Sequence, residues 1–425
     1  MPASQARYWN QKRETRDWSL RRQDLDRRFR QAFRHALEHS PAYQELYRQA
    51  GIDPQEIQGL DDLPRLPLLR MDQLRQRQKE HPPFGGFETV PHHQVRRIYV
   101  NPGRIFQPGE WEYQDTSWTE GLCGAGFRPG DRVLNAFNYH LWPYAFMLDE
   151  SVKMVGATVV PSGVGNTLMQ VKLLKELRIN AFLGTPSFLM TLVQRAEGLG
   201  LDPKQDLYLE RAMVGAEMLP ESLREQLQDM LGMSIRQAYG TVLLGCLGYE
   251  CHLMSGLHVP DNVIVELVDP ASGQPVKTGS VGEIVATNLN PVYPMIRLAT
   301  GDLSILSHES CGCGRTGPML RRVLGRADQA TKVRGTFIHP WQTDEFMAHY
   351  PEVFKYQVVI TRQEHSDQLT LRVEPADQSV DQARLAARIE RDIREFLGLR
   401  GRVEVVPRGS IPDFHQKIED RRKWD

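Results

Sequence analysis

Apolar residues recur every four or five positions between Trp9 and about Ala50, at Leu20, Leu25, Phe29, Phe33 and Leu37. With Arg and Gln between them, this spacing predicts an amphipathic, strongly charged helix packed on the body of the protein. Ser40-Pro41 stops that helix and starts another, because the residue before proline avoids the helical region and proline suits a first turn. Pro54, Pro64 and Pro67 then punctuate a loop-rich connection to a short helix opening at Met71, with Asp72 as its cap. After Pro91 the period shortens. Val95 to Val100 alternates as a strand, and Asn101-Pro102-Gly103 turns it. Asp131 to Phe137, Gly156 to Pro161 and Asn180 to Pro186 read as buried strands, with helical patterns at about 142–154 and 166–178 between them. Arg211 to Glu217 and Ile235 to Tyr239 repeat the strand-then-glycine arrangement. Strands alternating with helices predict an α/β fold with a parallel-rich sheet, whose ligands gather beyond the strands' carboxyl ends. Val263 to Val268, Gly282 to Thr287 and Met295 to Leu298 predict a β-rich subdomain. Beyond Asp328, strands at Val358–Thr361, Leu369–Val373 and Val403–Val406 and a helix from about Asp381 to Leu397 predict a compact α+β unit.

A chain of 425 residues exceeds one ordinary core and implies two or three folding units. Lys+Arg 52 against Asp+Glu 53 leaves no global field to favour nucleic acid or an anionic membrane, so binding must come from a local site. No apolar run approaches the roughly 20 residues that span a bilayer. The N-terminus mixes Arg7, Lys12, Arg13 and Arg16 with Glu14 and Asp17 and has no signal-peptide core, so the expected location is cytoplasmic. Five cysteines are too few and too uneven for a secreted disulfide scaffold. Cys251 and His258, with Cys311 and Cys313, supply three thiolates and an imidazole, a set suited to tetrahedral structural zinc. Cys246 and His252 are rival ligands, and four unconnected residues are the plain alternative. Cys123 reads as a buried small residue.

One turn is a poor phosphate cradle. Asn101-Pro-Gly-Arg-Ile-Phe-Gln-Pro108 carries a single glycine, no hydroxyls and the bulk of Phe106.

The order of motifs is more telling. Asp131-Arg-Val-Leu-Asn-Ala-Phe137, Gly163-Val-Gly-Asn-Thr167, Thr185-Pro186, Gly215-Ala-Glu217, Tyr239-Gly240, Gly256-Leu-His258, Thr300-Gly-Asp-Leu303, Cys311-Gly-Cys-Gly-Arg-Thr316, Leu324-Gly-Arg-Ala-Asp328, Arg334-Gly335 and Gly409-Ser-Ile-Pro412 follow one another along the chain. In this series the chain resembles the phenylacetate-coenzyme A ligase family of adenylate-forming enzymes over nearly its full length. The resemblance implies a large N-terminal domain, 1–328, with a zinc-bearing β subdomain at about 245–325, and a small C-terminal lid, 329–425, rotating about Asp328. It implies activation of an aromatic or small carboxylic acid by ATP and magnesium as an acyl-adenylate, then transfer to coenzyme A, with a homodimer as a further expectation. Gly215, Ala216 and Glu217, with Tyr239 and Gly240, would line the nucleotide pocket. Asp302 would hold the ribose hydroxyls, and Arg326 would sit near ribose or phosphate. Lys417 would stabilise charge on the carboxylate and α-phosphate; its alternative is one more solvated tail lysine. The acyl group would lie among Phe137, Tyr139, His140, Trp142, Thr185, Pro186 and Gly215-Ala216, and the same resemblance points to the Cys251, His258, Cys311, Cys313 set. His140 is the candidate general base, with a structural histidine as its alternative. Trp142 and Tyr144, by residue type, are more often core than pocket.

Two departures set this chain apart. The family's hydroxyl-rich phosphate loop ending in lysine is replaced by the turn at 101–108, where Arg104 offers one charge. The family's Tyr-Gly-x-Ser/Thr-Glu becomes Tyr239-Gly-Thr-Val-Leu243, placing Val242 and Leu243 where a phosphate-binding hydroxyl and a magnesium-binding carboxylate are expected. Three readings therefore stand: a ligase, an acyltransferase or condensing enzyme that uses no ATP, and a nucleotide- or acyl-CoA-binding pseudoenzyme.

Overall fold

The computed structural model describes residues 8–101, 104–109, 115–327, 331–333, 336–338, 340–363, 366–377, 380–397, 399–412 and 416–422. Pro102-Gly103, Asp328 and Arg334-Gly335 lie outside them. The chain divides into two compact units, one of residues 1–300 and 304–323, the other of residues 301–303 and 324–425.

In the first unit, Asp17 caps the helix Trp18–His39 by accepting from Ser19 N. Ser40 closes that helix and caps the next, Pro41–Gln49, whose first turn carries proline. Leu25, Phe29 and Phe33 are buried, whereas Leu20 is 55% exposed. The buried stripe starts instead at Arg21, whose guanidinium donates to Val259 O at 2.8 Å and pairs with Asp261 at 3.1 Å. Asp72 is not a cap: the helix Met71–Glu80 begins after Arg70, whose N–H donates to Gln73 Oε1 at 2.9 Å.

The central sheet follows from the alternation in sequence. Strands β1 (Arg97–Asn101) and β2 (Ile105–Gly109) form a separate antiparallel hairpin. Strands β3 (Arg132–Asn135), β4 (Thr158–Pro161), β5 (Ala181–Gly184), β6 (Arg211–Val214) and β7 (Ser234–Thr241) lie side by side in the order β4-β3-β5-β6-β7, all parallel. Every residue of β5 and β6 is buried, as a parallel sheet covered on both faces requires. The helices Tyr144–Val155, Thr167–Glu176, Pro186–Glu197 and Glu221–Leu231 connect these strands. Antiparallel strands continue the sheet: β8 (Gly245–Glu250), β9 (Leu257–His258), β10 (Val263–Val268), β11 (Val281–Asn288), β12 (Leu298–Ser307) and β13 (Met319–Leu320). Met295 to Leu298, expected as a strand, instead leads into β12, because Met295 N is taken by Asn288 Oδ1 at 2.9 Å.

The second unit has a four-stranded sheet of Arg402–Val405, Ser366–Pro375, Val353–Gln363 and Ile418–Asp420, in that order, with the helix Gln382–Leu397 burying Leu385, Ile389 and Ile393 against it. Among the described residues no helix is long and apolar enough to cross a membrane.

Candidate active site

The carboxyl ends of β3, β5, β6 and β7 bring most of the expected acyl and nucleotide residues of the first unit to one edge. Thr185 follows β5 directly and caps the helix Pro186–Glu197, accepting from Phe188 N at 3.2 Å. Ser187 Oγ, in that first turn, donates to Glu217 Oε1 at 2.9 Å and so joins the ends of β5 and β6. Between them Gly215 and Ala216 turn the chain, and Ala216 has φ +64°. A non-glycine residue held left-handed costs on the order of 1–3 kcal/mol and persists only where its surroundings require it. After β7, a bulge between Tyr239 and Gly240 re-aims the strand end.

On the acyl side, Phe137 and Tyr144 pack edge to face with centroids 4.7 Å apart. Tyr139 OH donates to Asp149 Oδ1 at 2.7 Å, and Asn135 Nδ2 donates to the same oxygen at 2.8 Å. Burial raises the Asp149 pKa against these two bonds. Asn135, Asp149 and Ser187 escaped the sequence reading, since nothing in their spacing separates them from ordinary polar positions. Trp142 is 40% exposed. His140 is exposed too, and its ring has no hydrogen-bond partner among the described residues.

The region expected to meet the triphosphate is built differently. In the β1–β2 hairpin Val100 faces Phe106 and Asn101 faces Ile105. Phe106 N donates to Gln78 Oε1 at 2.9 Å, and Val100 N donates to Leu141 O at 2.9 Å. Those amides are therefore consumed within the fold. Leu243 is 4% exposed in an apolar cluster with Leu244, Leu247 and Ile284, and Val242 packs against it. A cavity of about 160 Å³ lies between the hairpin and this turn, lined by Tyr99, Phe146, Met147, Leu243, Asn262 and Asn288.

In the second unit, Arg326 Nη1 lies 3.5 Å from Asp302 Oδ1, and the two residues are register partners between β12 and the short strand Gly325–Arg326. Lys417 pairs with Asp344 and lies 5.8 Å above the Tyr356 ring, whose hydroxyl also meets Asp344.

Cys251, His258, Cys311 and Cys313 are all buried, with their donor atoms within 4.8 Å of one another. Cys251 Sγ is 3.8 Å from Cys311 Sγ, and Cys313 Sγ is 3.5 Å from His258 Nε2. Cys246 lies apart, its thiol directed at Gly248 O at 3.6 Å. The strands carry this grouping: Tyr249 of β8 faces His258 of β9, and His258 faces Met319 of β13.

Residues 116–290 match the AMP-binding enzyme family, and residues 335–422 match the AMP-binding enzyme C-terminal domain. The phenylacetate-coenzyme A ligase of Thermus thermophilus is 32% identical over 417 residues, covering 91% of this chain and 92% of the relative. The phenylacetate-coenzyme A ligase of Escherichia coli is 28% identical over 404 residues, covering 91% and 90%. Among solved structures, an open conformation of 2-hydroxyisobutyryl-CoA ligase in complex with 2-HIB-AMP and CoA superposes with a TM-score of 0.85 at 26% identity, covering 99% of this chain and 96% of that one. An adenylate-forming architecture, with identity to phenylacetate-coenzyme A ligases running through both of its parts, places this chain in the phenylacetate-coenzyme A ligase family.

Proposed function

We propose that the protein is an acid–thiol ligase that joins a carboxylic acid to coenzyme A through an acyl-adenylate. In the first half-reaction a carboxylate oxygen attacks the α-phosphorus of ATP and pyrophosphate leaves. In the second a thiolate attacks the acyl carbon and AMP leaves. The observation that carries this reading is the relation to phenylacetate-coenzyme A ligases over 91% of the chain, C-terminal part included. Gly215, Ala216, Glu217, Tyr239 and Gly240 are assigned to the nucleotide, Asp302 to the ribose and Arg326 to the ribose or phosphate. Phe137, Tyr139, Thr185 and Pro186 are assigned to the acid. Lys417 is a cation suited to the charge that develops at the α-phosphate. The test is pyrophosphate release with a panel of aryl and short acids, ATP and coenzyme A. Turnover no higher than that of Lys417→Ala would sink the reading.

A second reading has its own support. Buried Leu243 offers no oxygen to magnesium, and the hairpin amides at Val100 and Phe106 are already used. On this reading the enzyme accepts a ready-made acyl-adenylate and performs only the thiolate step. Thioester formed from synthetic acyl-AMP, with no pyrophosphate–ATP exchange, separates it from the full ligase.

The four buried cysteine and histidine residues are assigned to structural zinc. Bonds of about 2.3 Å to sulfur and about 2.0 Å to nitrogen, at the tetrahedral angle, put two sulfurs about 3.8 Å apart and sulfur and nitrogen about 3.5 Å apart. The separations of 3.8 Å for Cys251–Cys311 and 3.5 Å for Cys313–His258 match both. Four protein ligands leave no open position, so this metal would pin β8, β9 and the 311–313 loop and take no part in acyl transfer.

A further inference from the structure

Gly215 and Gly240 end adjacent parallel strands, at the place where an acyl group would approach the nucleotide. Both glycines already have neighbours that use the space. A Cβ on Gly215 would lie 3.3 Å from the Tyr144 hydroxyl, and one on Gly240 would lie 2.6 Å from the Trp118 ring. Trp118 and Tyr144 meet edge to face with centroids 5.0 Å apart, and Phe137 packs edge to face on Tyr144 at 4.7 Å. None of the three is more than 8% exposed. The floor beneath the strand ends is thus a wall of three rings, where a flat aryl group would need an open slot.

Two donors in that wall are unspent. Trp118 Nε1 is buried without a hydrogen-bond partner, and the Tyr144 hydroxyl has none among the described residues. Burial holds the phenol protonated at neutral pH, so it stays a donor. Buried donors are normally paired, and a site built around such a donor rejects ligands that cannot accept from it.

We propose that Tyr144, backed by Trp118, determines acid specificity: it closes the acyl pocket to aryl groups and donates its hydroxyl to an oxygen carried beside the carboxylate. The acid would be short and would bear a hydroxyl or keto oxygen. This rests on the ligase reading above.

The test is calorimetric titration of the full chain with AMP and with three non-hydrolysable acyl sulfamoyl adenosines, the 2-hydroxypropanoyl, propanoyl and phenylacetyl compounds. The 2-hydroxypropanoyl compound is expected to bind at least tenfold tighter than either of the others. Tyr144→Phe, nearly the same shape, should collapse the hydroxypropanoyl-to-propanoyl ratio towards one, which loss of packing alone would not do. Tyr144→Ala should raise phenylacetyl affinity at least tenfold. AMP binding together with a wild-type preference for the phenylacetyl compound overturns this inference and leaves the ligase reading standing. A ratio unchanged in Tyr144→Phe also overturns it. Failure of AMP to bind overturns both.

Discussion

Arg315 and Glu14 form an ion pair, Nη2 to Oε2 2.8 Å, in which neither side chain is more than 2% exposed. The guanidinium also lies over the rings of Tyr8, at 4.7 Å, and Tyr249, at 5.4 Å. Thr316 N donates to Glu14 O at 3.2 Å, so the N-terminal segment is stitched to the loop that carries Cys311 and Cys313. Glu14→Ala leaves a buried guanidinium without its counter-charge, and the expected cost is about 3–5 kcal/mol. Replacing the pair together, Glu14→Leu with Arg315→Met, should recover most of that loss. Urea midpoints of the two variants and the wild type measure both.

Glu120 shares this buried region. Its carboxylate accepts from Tyr249 OH at 2.8 Å and Asp261 N at 3.0 Å. Burial, with Glu14 nearby, pushes its pKa from 4.5 up to about 7. The folded state therefore holds a proton that the unfolded chain releases above about pH 4.5. Stability from this group is complete below that value, falls between about pH 4.5 and 7, and is flat above. Glu120→Gln mimics the protonated acid and should remove this slope, on the order of 3 kcal/mol across the window. Denaturation at pH 5 and pH 7.5 is the measurement. An unchanged slope would rule out Glu120 as its source.

The parallel sheet was legible because Val133-Leu134, Ala181 to Leu183 and Ala212 to Val214 are short apolar runs, two of them followed at once by glycine, at Gly184 and Gly215, and short length with such punctuation marks buried strands. The four metal-type residues were legible by residue type, although the pairing of β9 with both β8 and β13 that gathers them is long-range and leaves no periodic mark. What could not be read was partnership. Asp149 looks like any helix-surface acid until Asn135, 14 positions earlier at the end of β3, donates to it. Leu20 shares the spacing of Leu25 and Phe29, but buried Arg21 takes the inward direction next to Asp261. Charged residues that face inward defeat a hydrophobic pattern.

Removing the metal tests the cysteine assignment. One zinc per chain is expected by elemental analysis, and Cys311→Ser should lose it. The loss should lower the thermal midpoint by several degrees, because the metal closes the 53-residue span between His258 and Cys311. A chain that holds no zinc and is equally stable after chelation would refute the assignment.

Lys417 is partly exposed, its side chain 44% accessible, and its pairing with Asp344 is a surface contact. Lys417→Ala should therefore change stability by less than about 1 kcal/mol. Adenylate formation should nevertheless fall by about 100-fold, the scale on which removal of one preorganised charge-stabilising group acts. Parallel measurement of unfolding and pyrophosphate release distinguishes a catalytic lysine from a structural one.

Leu243 gives the opposite outcome. Restoring a carboxylate by Leu243→Glu would place the charge where Leu244, Leu247 and Ile284 now pack, at a position only 4% exposed. Arg97 lines the cavity that Leu243 also borders, but its guanidinium already lies over the rings of Tyr99 and Phe146, so desolvation of the new charge is expected to cost about 3 kcal/mol or more. The acid would also ionise with difficulty, its pKa raised by burial. Magnesium-dependent pyrophosphate release should therefore not increase in this variant. A stable Leu243→Glu protein with enhanced ATP turnover would show that the turn after β7 still opens towards a triphosphate, and would remove the packing argument for the ATP-independent reading.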